Sequence, residues 1–213
     1  MEFLKNLLQF NIIDALTLVA VVVSALLAVK QLRQLQLTTS AEFMADFLEK
    51  LCSTEHAEAR RTIYLQVPHP VYEKEVHENW LRDDRIKWVE GKSTDFEKKL
   101  FDQIQSQLFE FDRMGLIFRK FGMDLDFAFD MLFDIIARLT IQLQYFVVEE
   151  RKRRGKGYIV NFVRLARKNF EFTKRKYRDA DITLMRPKNN NGKGPIISLA
   201  DLENAVKNME ETL

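Results

Sequence analysis

The sequence predicts an all-α protein: an N-terminal transmembrane helix and stalk followed by an antiparallel helical bundle. Three observations carry this expectation. The 213 residues include only 7 Gly and 4 Pro against 30% charged residues, too few turn formers for a sandwich or barrel. An apolar share of 46%, with 17 Phe, is enough for a packed core and excludes a disordered chain. Apolar residues recur at three- and four-residue spacing along most of the chain, apart from one unbroken run near its start. The expected organisation is an anchor over residues 1–30, a cytoplasmic helical domain over 31–186, and a flexible linker with a short helix over 187–213.

The unbroken run covers residues 12–29 and carries one charge, Asp14. At 1.5 Å per residue it spans roughly 27 Å, close to the hydrocarbon thickness of a bilayer. Asp14 falls one turn inside the edge, where a carboxylate reaches the headgroups. A cleaved signal peptide needs a basic leader and a small-x-small site after the run. Here Lys5 is offset by Glu2 and the triplet Val23-Ser24-Ala25 lies inside the run, so a retained anchor is expected. Lys30 and Arg33 follow it while Lys5 and the amino group precede it, and that near balance leaves orientation to other signals. The single cysteine, Cys52, and the lack of any Asn-x-Ser/Thr acceptor favour a reducing compartment. The expectation is a single-pass membrane protein with its C-terminal domain in the cytoplasm.

Beyond the anchor, Leu32, Leu35, Leu37, Phe43, Phe47, Leu48 and Leu51 give a stalk a broken apolar stripe, with Thr38-Thr39-Ser40 as a local break. Ser53 and Thr54 suit the N-cap of a helix over 55–65, because their hydroxyls accept from orphan N–H groups. Val67-Pro68-His69-Pro70 ends that helix, and Trp80, Leu81, Ile86, Trp88 and Val89 are spaced for one weak helix within 71–92. Thr94-x-x-Glu97 is a capping box ahead of a long helix to Phe121, closed by Gly122. Its inner stripe is Phe96, Leu100, Ile104, Leu108 and Phe111, widened by Phe101 and Phe118. A second long helix starts near Asp124 or Asp126 and ends at Arg154, with Phe127, Met131, Ile135, Leu139, Leu143 and Phe146 inside. Its Asp and Gln residues exclude it as a second span. The short connection at Gly122 predicts that Leu100, Ile104, Leu108 and Phe111 pack on Ile135, Leu139, Leu143 and Phe146. A third helix over 157–179 carries Phe162, Leu165, Ala166 and Phe172. Residues 187–195 read as a linker, and Ser198 caps a last helix with Leu199, Leu202, Ala205, Val206 and Met209 on one face.

Charge is segregated along the chain. Residues 151–190 hold 14 Lys and Arg against 3 acids, a net of +11 within a total of +2, which leaves −9 on the rest. Arg151, Lys152, Arg153, Arg154 and Lys156, continued by Arg164, Arg167, Lys168, Lys174, Arg175, Lys176 and Arg178, read in two ways. One is a solvated helix end that complements the helix dipole; the other is a contact for lipid headgroups, an acidic partner or nucleic acid. No zinc-finger or RNA-recognition motif accompanies them. Asp126, Asp130 and Asp134 share one helix face, with Arg138 next. Their oxygens suit a divalent cation, but the helix has no His for a di-iron pattern, and the basic segment is the expected offset to their repulsion. Cys52 and His56 lack a second ligand pair, His69 and His77 fall in a stretch expected to be a charged loop, and Gly192-Lys193-Gly194 lacks the spacing of a P-loop. No catalytic residue, cofactor or metal site is expected.

The layout also resembles a known family. A single span leads into Lys30-Gln31-Leu32-Arg33, then come Ala57-Glu58-Ala59-Arg60-Arg61, Leu108-Phe109-Glu110-Phe111 with Met114-Gly115, and Arg154-Gly155 with Tyr158 to Leu165. This is similar to a bacterial family of single-span helical proteins, domain of unknown function forty-seven-sixty, over roughly residues 12–178. The resemblance implies a membrane-anchored α-helical module without known activity and brings no catalytic residues. The resulting expectation is a non-enzymatic inner-membrane protein whose domain binds a protein partner, or a second copy of itself, as sensor, adaptor or effector. The alternative is a membrane-tethered nucleic-acid-binding protein using residues 151–178.

Overall fold

The computed structural model describes residues 2–121, 125–177 and 198–211. The chain divides into two compact units, Met1–Glu49 and Lys50–Leu213, and among the described residues every regular element is helical.

The first unit is built from α1 (Glu2–Cys52), whose last three residues belong to the second unit. Within it Leu16–Leu35 is a 20-residue apolar stretch of mean hydropathy 1.8 with none of its residues buried, long enough to cross a bilayer. The break expected at Thr38-Thr39-Ser40 does not occur. Thr38 donates its hydroxyl proton to the Gln34 carbonyl at 3.1 Å, the back-bond that lets a hydroxyl residue stay inside a helix. One turn apart, Phe43 and Phe47 stack at 6.2 Å.

In the second unit, α2 (Thr54–Gln66) starts at Ser53, whose hydroxyl accepts from the His56 N–H, and ends at the extended Val67. The weak helix expected next is three pieces: α3 (Lys74–Asn79), a π turn (Trp80–Asp84) and α4 (Arg85–Val89). A π turn adds one residue and so shifts the inward face. That shift puts Trp80 and Arg85, five positions apart, on the same buried side.

The capping box of α5 (Asp95–Phe121) forms as expected. The Glu97 N–H donates to the Thr94 hydroxyl at 3.3 Å and the Thr94 N–H donates to the Glu97 carboxylate at 2.7 Å. Leu100, Ile104, Leu108 and Phe111 are buried with Phe101, Met114 and Phe118, whereas Phe96 is 59% exposed because the first turn projects past the core. Gly122 lies outside the described residues.

Helix α6 (Leu125–Arg154) is the central element. Leu139, Thr140, Ile141, Gln142, Leu143 and Gln144 are consecutive and all buried, so the helix is enclosed on every side there. Its N-terminal half faces inward through Ala128, Phe129, Leu132 and Ile136 instead of Met131, which is exposed, and Ile135, which is half-buried. The side chain of Phe127 is outside the described set. Ala128–Arg154 is long and apolar enough for a span, but 61% of it is buried within the protein, which marks a core helix.

Phe162, Leu165, Ala166 and Phe172 of α7 (Val160–Lys176) are buried as expected. Helix α8 (Leu199–Glu210) begins at a Ser198–Asp201 capping box and buries Leu202, Ala205, Val206 and Met209, while Leu199 is half-buried. It docks on its own domain, where Asn208 donates to the Gln144 side-chain oxygen at 2.7 Å. The predicted linker, 187–195, lies outside the described residues. Helix α5 lies closest to α7 and α2, and α6 closest to α8 and α7. The expected direct pairing of α5 with α6 is thus replaced by one in which α7 contacts both. An enclosed helix such as α6 can accept several neighbours, so hairpin adjacency does not decide the packing. α5 and α6 still meet through rings: Phe101 stacks at 6.1 Å from Phe146, with Trp80 and Trp88 at 5.3 and 5.1 Å from Phe101.

Candidate functional site

The turn from α6 into α7 is held by side chains from outside it. Gly155 and Ile159 both have positive φ, 97° and 42°, and Ile159 at the N-cap of α7 has no side-chain oxygen to offer. Asp112 of α5 supplies the cap instead. One carboxylate oxygen accepts from the N–H groups of Asn161 and Phe162 at 2.7 and 2.9 Å, and the other accepts from the Asn161 side chain at 3.1 Å. An anion at a helix N-terminus satisfies orphan donors and complements the dipole. The approach is close enough that a Cβ on Gly115 would sit 2.4 Å from the Asn161 carbonyl oxygen, so only glycine fits at that position.

Arg151, the first of the five predicted contact cations, turns inward. It is 2% exposed and donates to the carbonyls of Tyr158 and Lys156, the former at 3.1 Å and the latter at 2.6 Å. Burial lowers its pKa from the usual arginine value and the nearby Asp112 opposes that shift. Arg153 and Arg154 hydrogen-bond to the fully buried Glu150 at 2.5 and 2.6 Å, and Arg85 joins them at 3.0 Å. Burial pushes the Glu150 carboxyl up, but the hydrogen bonds from Arg153, Arg154 and Arg85 and the charge of Arg153 overcome it and leave the pKa below the ordinary glutamate value. Lys152 pairs with Glu149 at 2.8 Å. Lys152, Arg153, Arg154 and Lys156 remain exposed.

The aspartate ladder is matched by opposite charge, though not by the residues at 151–156. Arg175 binds Asp126 at 2.7 Å, Lys176 binds Asp130, and Asp134 is held by Arg138 of its own helix at 2.9 Å. Among the described residues no group of three potential ligands could hold a metal ion. His69 lies in the loop after α2, as expected, and His77 lies in α3, but both are buried, at 2% and 1% exposed. His77 donates from Nδ1 to the Pro68 carbonyl at 2.7 Å, and burial lowers its pKa against that hydrogen bond. His56 accepts on Nδ1 from Gln107 at 2.7 Å, so this nitrogen is already engaged, while the Cys52 thiol is exposed.

Where α5, α7 and α8 meet, a cleft of about 280 Å³ opens over Gly115, Phe118 and Leu165. Arg119, Arg164, Lys168 and Glu171 also line it, and Arg167 and Glu210 complete it as a bidentate pair. Among the described residues, Arg119, Arg164 and Lys168 have no ion pair, hydrogen bond or ring contact. The cleft therefore combines an apolar floor with cations that folding has not neutralised. Arg164 and Lys168 belong to the predicted basic segment. Arg119 lies far from both in sequence, and only the α5–α7 contact brings it in. No family model matches the chain, and no curated protein and no solved structure is similar to it.

Proposed function

We propose that the protein is a single-pass protein of a bacterial inner membrane, with α1 as a retained anchor and a cytoplasmic, non-enzymatic helical domain that binds a protein partner. The observation that carries this reading is the apolar stretch Leu16–Leu35, none of which is buried by protein. Exposed apolar surface costs about 25 cal/mol per Å² in water, and a bilayer is the environment that removes this cost for a 20-residue helix. The binding role is supported by the way the domain uses its charges. Its carboxylates are largely engaged in caps and ion pairs, whereas cations from α5 and α7 stay uncompensated at the surface, which suits an acidic partner. The full-length chain is expected to remain in the membrane pellet after carbonate washing, with an intact mass that includes the apolar stretch. Recovery in the soluble fraction, or a mature chain beginning after Ala25, would overturn the anchor.

A further inference from the structure

The cleft between α5, α7 and α8 has the composition of a ligand site. Its floor is apolar, with Phe118 5% and Leu165 2% exposed, and Gly115 keeps the α5–α7 junction tight beneath it. With Arg167 and Glu210 paired to each other, Arg119, Arg164 and Lys168 face a single remaining carboxylate, Glu171. Like-charged groups gathered on three turns of two helices repel unless an anion joins them. Arginine matches carboxylate and phosphate oxygens in a two-pronged geometry, and lysine adds a point charge. The volume falls just below the usual range for ligand pockets, roughly 300 to 1,000 Å³, which restricts the occupant to a small molecule.

We infer that this cleft binds a small amphiphilic anion, a phosphate or carboxylate head held by Arg119, Arg164 and Lys168 with a short apolar body over Phe118 and Leu165. The site lies entirely within the helical domain and does not rest on the anchor or on the protein partner. Its headgroup chemistry is shared by a free amphiphile and by a bilayer phospholipid, and the experiment separates the two.

Full-length chain in discs of zwitterionic phosphatidylcholine, or in plain buffer should it prove soluble, is titrated with hexyl phosphate by calorimetry against a protein-free blank. Saturable binding is expected, tighter than that of inorganic phosphate because the apolar floor adds to it. Replacing Arg164 and Lys168 together by Gln is expected to weaken it about tenfold or more, the loss of one to two charge-assisted hydrogen bonds. The variant with Lys152→Gln and Lys156→Gln, away from the cleft, is expected to bind like the parent. Adding phosphatidylglycerol to the discs assigns the source: suppression of the hexyl phosphate signal points to a bilayer headgroup, an unchanged signal to a free amphiphile, and both uphold the site. The inference is overturned if inorganic phosphate binds as tightly as hexyl phosphate, if the Arg164/Lys168 variant binds like the parent with an unchanged melting curve, or if no saturable binding occurs.

Discussion

Arg151 and Arg164 belong to one basic segment, yet the first is 2% exposed with its guanidinium on two loop carbonyls and the second is exposed with no partner among the described residues. Around Arg151 the chain has to reverse direction through two residues of positive φ, and the carbonyls of such a turn need donors that only a long side chain can bring. Around Arg164 the helix is regular, its backbone is self-satisfied, and the exposed side chains of Arg164 and Lys168 have no structural task. A run of like charge in sequence is therefore not one feature. Its members are assigned to structure where a turn carbonyl, as for Arg151, or a carboxylate, as for Arg153, Arg154, Arg175 and Lys176, comes within reach, and are left for binding where neither does.

That contrast makes the structural end the place where substitutions cost most. Glu150→Gln removes the charge on which Arg85, Arg153 and Arg154 converge and is expected to destabilise the domain by about 3 to 5 kcal/mol, the cost of breaking a buried ionic cluster. Because the folded carboxyl is held below its ordinary value, its contribution is fully present above an unfolded glutamate pKa of roughly 4.3. It is lost as the pH falls through the lower folded value. Acid unfolding followed by circular dichroism should accordingly show a shallower acid limb for Glu150→Gln than for the parent. A smaller loss is expected from Gly115→Ala, whose new Cβ must push on the Asn161 carbonyl; overpacking of this kind costs about 1 to 3 kcal/mol. Thermal unfolding measures it, and a melting curve unchanged from the parent would mean that α5 and α7 separate freely.

Elements with a local cause were readable from sequence: the Thr94 and Ser198 caps, the stripe of α5 and the ends of α2 each depend on residues within a few positions. The aspartate ladder was read correctly as needing opposite charge, with Arg175 and Lys176 supplying part of it. What failed depended on the third dimension. Met131 sits on the outer side because α6 is enclosed farther along, and periodicity alone cannot phase a helix that is apolar on several faces. The sequence places His69 and His77 among solvated charges, yet both are buried: His77 packs its ring on Trp80 at 5.5 Å and His69 accepts from the Val71 N–H at 3.2 Å. The cleft is not legible in sequence for a similar reason, since Arg119 meets Arg164 and Lys168 only through the packing of α5 on α7, held by the Asp112 and Gly115 contacts.

The division of the basic segment into a structural and a free part is tested most directly by comparing the unfolding of two full-length variants, Arg151→Met and Arg164→Met, under identical conditions. Arg151→Met leaves the Lys156 and Tyr158 carbonyls without their donor and is expected to cost about 2 to 4 kcal/mol. Arg164→Met is expected to stay within about 0.5 kcal/mol of the parent, as for an exposed side chain without contacts. Equal losses, or a larger loss at Arg164, would contradict the division.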